Sequence, residues 1–313
     1  MSANAARSID EYLKQLRSAL ADEDPALIQD ALYDAEEYLR AEVASHPNRS
    51  EADVLELIAS TYGAPEEVAA AYRDTEVKVK AALKTPAPPA TAAPASGRLR
   101  RFFGVFMDTR AYTSLFYMLL TLATGIIYFT FVVTGLALSA GLAVLVIGIP
   151  FFLAFIGMAR VLALAEGRLI EGTTGERMPR RPVHPGPPAG WLNRIGDMLK
   201  DVRTWTTLLY LLLMLPLGVL YFTIAVTGLT IGLRFALAPV VVLAGDFGWI
   251  PPEISSHVLE IDGASYGSPQ SFIAALFCMV LGVVILALLL HAARGIARGH
   301  ARLAKSLLVE PGA

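Results

Sequence analysis

The chain carries no Asp, Glu, Lys or Arg between Arg110 and Arg160, between Arg203 and Arg234, or between Asp262 and Arg294. A helix needs roughly 20 predominantly apolar residues to cross a bilayer, so the first run is long enough for two spans and each of the others holds one. The pattern predicts spans near 111–134, 141–163, 205–231 and 270–292, with a short Gly135–Gly141 turn between the first two. A helix is the element that satisfies its own backbone groups inside hydrocarbon, which makes these runs membrane helices rather than core helices of a soluble domain. Upstream, the pattern changes to charged, amphipathic helices. Ser8 and Glu11 have capping-box spacing, and Ile9, Leu13, Leu16 and Leu20 recur behind them at helical intervals. Asp24 and Pro25 start a second helix lined by Ile28, Leu32, Ala35, Leu39 and Val43, which ends at His46, Pro47 and Asn48. Ser50 opens a third with Val54, Leu57, Ile58 and Thr61, and Gly63–Pro65 restarts the chain into a fourth carrying Val68 and Tyr72.

Two of the spans are copies. Residues 108–136 read DTRAYTSLFYMLLTLATGIIYFTFVVTGL and residues 201–229 read DVRTWTTLLYLLLMLPLGVLYFTIAVTGL, at a constant offset of 93, and more than half of the 29 positions are identical. The identities include Asp108/Asp201, Arg110/Arg203, Tyr128/Tyr221, Thr134/Thr227 and Gly135/Gly228, which are not generic lipid-facing choices. An amphipathic segment precedes each copy: Leu99–Met107 with Phe102, Phe103 and Phe106, and then Trp191, Leu192, Ile195, Met198, Leu199 and Val202. Each unit reads as interfacial helix, span, turn, span, and the two units as parallel copies related by an axis along the membrane normal. The expected fold class is all-α: a polytopic membrane protein with four transmembrane helices in two parallel repeats, plus an amino-terminal cytoplasmic helical bundle. The expected organisation is a head at 1–76, a linker at 77–98, repeat one at 99–171, a Pro-rich linker at 172–190, and repeat two at 191–313 with an extracytoplasmic insertion at 244–270.

Composition agrees, since 55% of the 313 residues are apolar, too many for an ordinary soluble domain. Arg98, Arg100, Arg101 and Arg110 precede span one, a further eight Lys and Arg from Arg160 to Arg203 lie between spans two and three, and Arg294, Arg298, Arg302 and Lys305 follow span four. The positive-inside rule then puts both termini in the cytoplasm of a bacterial inner membrane. The first 80 residues contain no apolar signal-peptide core, so span one is expected to direct insertion. A single cysteine, Cys278, leaves no disulfide framework. Charge is unevenly shared: residues 1–76 hold 17 Asp and Glu against 6 Lys and Arg, a net of −11, while the remainder carries +9. Phosphate backbones and anionic lipid repel such a head, which argues against direct nucleic-acid binding and favours a basic protein partner. The stretch TPAPPATAAPAS is expected to tether the head at a distance from the membrane.

The head resembles the HAAS-type helical signalling domain in its opening YLKQLRSAL, its acid-rich second helix ending near His46, and its closing TYGAPEEVAAAYR (Thr61–Arg73). The membrane part resembles the four-helix sensor domain found ahead of actinobacterial histidine kinases. The segments that carry this likeness are Leu208–Leu229, Val144–Phe155 (VLVIGIPFFLAF) and Ala159–Leu169 (ARVLALAEGRL). The resemblances imply a non-enzymatic membrane sensor. No kinase follows span four here, so an output through the head is expected, and the company such heads keep implies a PadR-like transcription regulator as partner. The alternative class is an accessory or permease-like subunit of a membrane transport system.

Candidate site residues fall into three groups. On the head, Asp30, Asp34, Glu37 and Glu42 lie largely outside the apolar stripe of the second helix and form the expected partner-docking surface. In the spans, the repeated polar pairs are Tyr117/Tyr210, Tyr128/Tyr221, Thr130/Thr223 and Thr134/Thr227, which either pack helices closely or line a cavity for a lipid or amphiphile. In the insertion, Glu253, His257 and Glu260 fall on one face of a short helix; an imidazole and two carboxylates suit a divalent ion, and a solvated face anchored by Phe247, Trp249 and Tyr266 is the alternative. Glu166 reads as half of a local ion pair, and Arg177, Arg180 and Arg181 as a topology signal or a site for anionic head groups. No carboxylate lies mid-span, which argues against ion-coupled transport. With no P-loop, HExxH or Gly-rich dinucleotide loop, no catalytic residue and no cofactor are expected. The expected partners are membrane lipids, a cytoplasmic protein held by residues 1–76, and, as an open option, further copies of the chain. A periplasm-active phosphatase fused to the carboxyl terminus is expected to be silent; strong activity of that fusion would reverse the topology.

Overall fold

A computed structural model describes residues 6–83, 97–143, 147–181, 196, 199–249 and 269–309. Every regular element among them is a helix: α1 (Ile9–Ala19), α2 (Pro25–Ser45), α3 (Glu51–Ala59), α4 (Pro65–Leu83), α5 (Arg98–Phe103), α6 (Thr109–Leu142), α7 (Gly148–Thr174), α8 (Val202–Ala236), α9 (Ala238–Asp246) and α10 (Pro269–Leu308). A short 3₁₀ turn, Gly104–Met107, joins α5 to α6. Helices α6, α7, α8 and α10 are long and apolar enough to cross a membrane. The chain forms two compact units, one from residues 1–90, 128–212 and 300–313, the other from 91–127 and 213–299.

In the first unit, α1–α4 make the head, and polar caps fix where its helices begin. The Ser8 hydroxyl accepts the Glu11 N–H at 3.2 Å, while Glu11 accepts the Arg7 N–H at 2.8 Å, a capping box displaced by one residue. Asp24 accepts the Ala26 N–H at 2.9 Å with Pro25 in the first turn, and Ser50 accepts the Asp53 N–H at 3.2 Å. Gly63, at φ +107°, turns α3 into α4, and its carbonyl accepts the Tyr12 hydroxyl at 2.9 Å. Tyr12, Leu16, Leu20, Ile28, Ala31, Ala35, Leu39, Val54, Leu55, Ile58, Val68 and Ala69 form the core. The expected α3 stripe is therefore corrected: Leu55 is buried, and Leu57 stands 43% exposed. Helix α4 runs on to Leu83, past the expected end of the head, and so carries Glu76 into a buried position.

The spans are longer than their charge-free cores. Helix α6 continues through the Gly135–Gly141 stretch that was expected to turn, because Leu136–Ala140 is helix-compatible sequence and Gly135 packs against the Phe155 ring, where a side chain would collide. The 40 residues of α10 extend about 60 Å, twice a hydrocarbon core of about 30 Å, so the helix projects well beyond its span. Asp108 and Asp201 cap α6 and α8 identically, each accepting the N–H of the arginine two residues on at 3.0 Å. Each also makes an ion pair: Asp108 with Arg294 at 2.9 Å in the second unit, Asp201 with Arg160 at 3.3 Å in the first. These aspartates are thus tied to other spans, α10 and α7, as well as capping their own helices.

The second unit holds the seam between α6 and α8. A Cβ on Gly125 would lie 2.5 Å from the Met214 carbonyl oxygen, and one on Gly218 would lie 2.6 Å from the Thr121 carbonyl oxygen. These positions correspond at the offset of 93, so the contact is reciprocal, as a two-fold relation requires. Small residues here let two backbones touch, a usual basis of helix association in lipid. Below the seam, Val105, Ala111, Leu115 and Met118 pack with Tyr221, Ala225, Ala287 and Leu290, and Phe102, Phe103 and Phe106 close over them. Gly125→Ala and Gly218→Ala should each lower the stability of the detergent-solubilised protein by about 1–3 kcal/mol, the usual range for overpacking. Gly157→Ala, with no atom near its added methyl, should be neutral or slightly stabilising, and equal thermal shifts for all three would contradict the seam.

Candidate functional site

Helix α7 ends at Gly175, whose φ of +75° and N–H bond to the Glu171 carbonyl at 2.9 Å make a left-handed cap. The cap closes the helix and releases the chain as a non-helical arm, Glu176–Arg181. Met178, 1% exposed, anchors the arm back on α7 near Gly167. On its other side the arm meets the head. Arg177 donates to Asp30 at 2.8 Å and lies 3.3 Å from Glu76 and 3.5 Å from Glu171. The backbone N–H groups of Arg180 and Arg181 both donate to the second oxygen of Asp30, at 2.8 and 2.9 Å. Arg180 reaches back to Glu171 at 2.7 Å. Arg181 pairs with Asp34 at 2.9 Å, sits 5.8 Å over the Tyr33 ring, and accepts the Gln29 amide on its carbonyl at 2.9 Å. Tyr72 donates to the other Asp34 oxygen at 3.0 Å. At the end of α10, Lys305 holds Asp24 at 2.5 Å.

The centre of this clasp is dry. Asp30, Glu76, Glu171 and Arg177 are 5%, 3%, 6% and 8% exposed. Burial pushes the Asp30 carboxyl above its ordinary value, opposed by the two backbone N–H groups and by Arg177. Three carboxylates thus surround one buried guanidinium, with Arg180 and Arg181 at the rim. The arrangement fastens the head to the end of α7 by charge.

The structure revises several expected site residues. Asp30 and Asp34 were expected on a solvent face; both are engaged by the arm, because cations 147 to 151 residues further along the chain fold onto them. Glu37 stays exposed, and Glu42, half-buried, lies 3.8 Å from His46. Arg177, Arg180 and Arg181, read as a topology signal or a lipid site, are protein-bound through carboxylates. The expected stand-off of the head is likewise corrected, since α2 and α4 are docked on the arm; the Pro/Ala tether itself lies outside the described residues.

In the spans the repeated polar set divides. Tyr117, Tyr128, Tyr210 and Tyr221 are buried, whereas Thr130, Thr134, Thr223 and Thr227 are exposed. Thr130 follows Tyr128 by two residues, about 200° of helical turn, so both cannot face inward. Glu166, fully buried, accepts the Tyr128 hydroxyl at 3.0 Å, and Arg160 meets Asp201 and Thr204. Sequence reading missed His300, buried at 3.0 Å from Tyr210, and Thr121, whose hydroxyl returns to the Tyr117 carbonyl at 2.7 Å. Glu253, His257 and Glu260 lie outside the described residues, and no metal-binding cluster occurs among those described. Gly263–Gly267 (GASYG) has the spacing of a nucleophile elbow, which the sequence reading overlooked. It too lies outside the described residues, and the strand–turn–helix setting such a motif needs is not found among them.

Four spanning helices, the reciprocal seam of α6 and α8, and buried polar pairs between helices define an all-helical polytopic membrane protein with a helical head. Its class is that of a sensor-type membrane domain. The chain belongs to the family described as "Putative sensor", whose pattern matches residues 117–308, from within α6 to the last residue of α10. No curated protein and no solved structure matches it.

Removing the central cation should hurt more than removing one of its partners. Arg177→Met removes the cation shared by three buried carboxylates, a change in the range of about 3–5 kcal/mol. Asp30→Asn keeps an acceptor for the two N–H groups and leaves Arg177 with Glu76 and Glu171, which limits the loss to about 1–3 kcal/mol. Hydrogen exchange at the Arg180 and Arg181 amides should therefore accelerate much more in Arg177→Met than in Asp30→Asn; the reverse order would contradict the clasp.

Proposed function

We propose that the protein is a non-enzymatic signalling protein of the bacterial cytoplasmic membrane, with both termini in the cytoplasm. Its membrane domain responds to the bilayer or to a ligand within it, and its acidic head holds or releases a cytoplasmic protein. The observation that carries this reading is the clasp: Arg177, on the arm that continues α7, sits among Asp30 and Glu76 of the head and Glu171 of α7. A shift or twist of α7 then reaches the head through one fixed contact. Membership of a sensor family supports the input side. The net −11 of residues 1–76 and the likeness to HAAS-type domains support a basic protein partner on the output side, with a PadR-like transcription regulator as the class implied.

The partner can be sought with the full chain in its own membrane. Full-length protein carrying Arg177→Met, solubilised and captured, should recover a cytoplasmic regulator in greater yield than the unaltered chain does, since the variant frees the head. Recovery of an ATPase or another transport subunit instead, in equal yield from both chains, would replace this reading with that of a transport accessory.

A further inference from the structure

The arm is held in a manner that fits a ligand in a groove. The head contacts it in two ways. Its backbone is read by three hydrogen bonds in succession: the N–H groups of Arg180 and Arg181 to Asp30, and the Arg181 carbonyl from the Gln29 amide. Two of its side chains are read by charge, Arg177 by Asp30 and Glu76, and Arg181 by Asp34 and the Tyr33 ring. The remaining contacts of the arm point the other way. Met178 packs toward Gly167 and Arg180 pairs with Glu171, both on α7. The elements that recognise the arm and those that tether it are therefore separable by face. Asp34 is further oriented by the Tyr72 hydroxyl, so the groove is braced by a second helix of the head.

From this we infer that the Gln29–Asp34 face of α2, with Glu76 of α4, is a recognition site for a basic peptide segment of the pattern Arg-x-x-x-Arg. In this structure Arg177–Arg181 fills it in cis, and the cytoplasmic partner presents a segment of the same chemistry in trans. The inference rests on the proposed function for the existence of a partner; the groove and its preference rest on the contacts alone. Three backbone bonds leave the side chains at the intervening positions free to vary, proline excepted where the N–H of residue 180 donates, and the two arginine positions set the choice. A planar guanidinium suits both, because Asp30 offers a charged acceptor and Tyr33 an aromatic face, whereas a lysine ammonium is a point charge and serves the second poorly. Glu37, exposed one helical turn beyond Asp34, extends the acidic track along α2.

The test uses the full-length protein in nanodiscs and a fluorescent synthetic peptide with the sequence of Glu176–Val183. Arg177→Ala/Arg181→Ala empties the groove, and the peptide should bind this chain at least about tenfold more tightly than the unaltered one. Adding Asp34→Asn to the emptied chain should reverse most of that gain. A peptide of the same composition in scrambled order, and one with both arginines replaced by lysine, should bind at least about tenfold more weakly. Because the emptied chain could misfold, a second measurement uses the unaltered chain: excess peptide should speed hydrogen exchange at the Arg180 and Arg181 amides, while the scrambled peptide leaves it unchanged. Scrambled and native peptides acting alike in both measurements would overturn the inference and leave only non-specific charge attraction. Equal peptide binding by emptied and unaltered chains, without any change in exchange, would overturn it as well. Recovery of a regulator in the capture experiment alongside either failure would sink the groove but not the proposed function.

Discussion

A single guanidinium among three buried carboxylates is the constraint on which the contact between head and membrane helix turns. Taking a carboxylate out of water costs several kcal/mol, and attraction to a neighbour offsets this only while the geometry holds. Arg177 makes one short hydrogen bond, to Asp30, and two longer approaches, to Glu76 and Glu171. The cluster is therefore conditional rather than strongly stabilising. It holds when α2, α4 and α7 present their acids together, and becomes unfavourable when one of them withdraws. An apolar interface of the same size would weaken gradually on displacement; this one depends on a few distances.

Helix α7 connects that cluster to the interior of the span. Glu166, which accepts the Tyr128 hydroxyl, and Glu171, which faces Arg177 and Arg180, are five residues apart. On a helix that spacing amounts to about 7.5 Å along the axis and about 140° around it. One rigid element thus presents a buried polar group to α6 and another to the arm. Arg160, further back on α7, ties the same helix to the start of α8 through Asp201 and Thr204. A change in how α7 sits against either neighbour has no flexible segment in which to dissipate before Gly175.

Most of the fold was legible because it rests on local rules. Charge-free runs fixed the four spans, Ser8, Asp24 and Ser50 fixed helix starts in the head, and Asp108 and Asp201 cap their helices as a repeated motif would. Reading failed where an outcome depended on distant partners. Nothing near Asp30 in sequence announces that Arg177 will bury it, and a carboxylate on a charged helix is normally solvated. The length of α6 was underestimated for a related reason: Gly135 was taken as a breaker, whereas it is a surface on which Phe155 lies. Recurrence alone did not show that the threonines of the repeat are exposed while its tyrosines are buried. The buried Tyr210 and His300 pair had no signal at all, since the two residues lie 90 positions apart on different helices.

The reciprocal glycine seam bears on how the chain came to be shaped as it is. Two sides of a contact written by one sequence, as in an assembly of identical halves, must change together, and every substitution is made twice. Once the halves are joined in one polypeptide, each side is inherited separately. The two segments differ near the seam: Pro216 stands within α8 where α6 has Ala123, two residues from Gly218, and helix α9 follows α8. Gly125 and Gly218 occupy matching positions of the two similar segments, and each meets the backbone of the other helix. A line along which two backbones touch leaves no room for a side chain on either helix, so one contact constrains a residue on each.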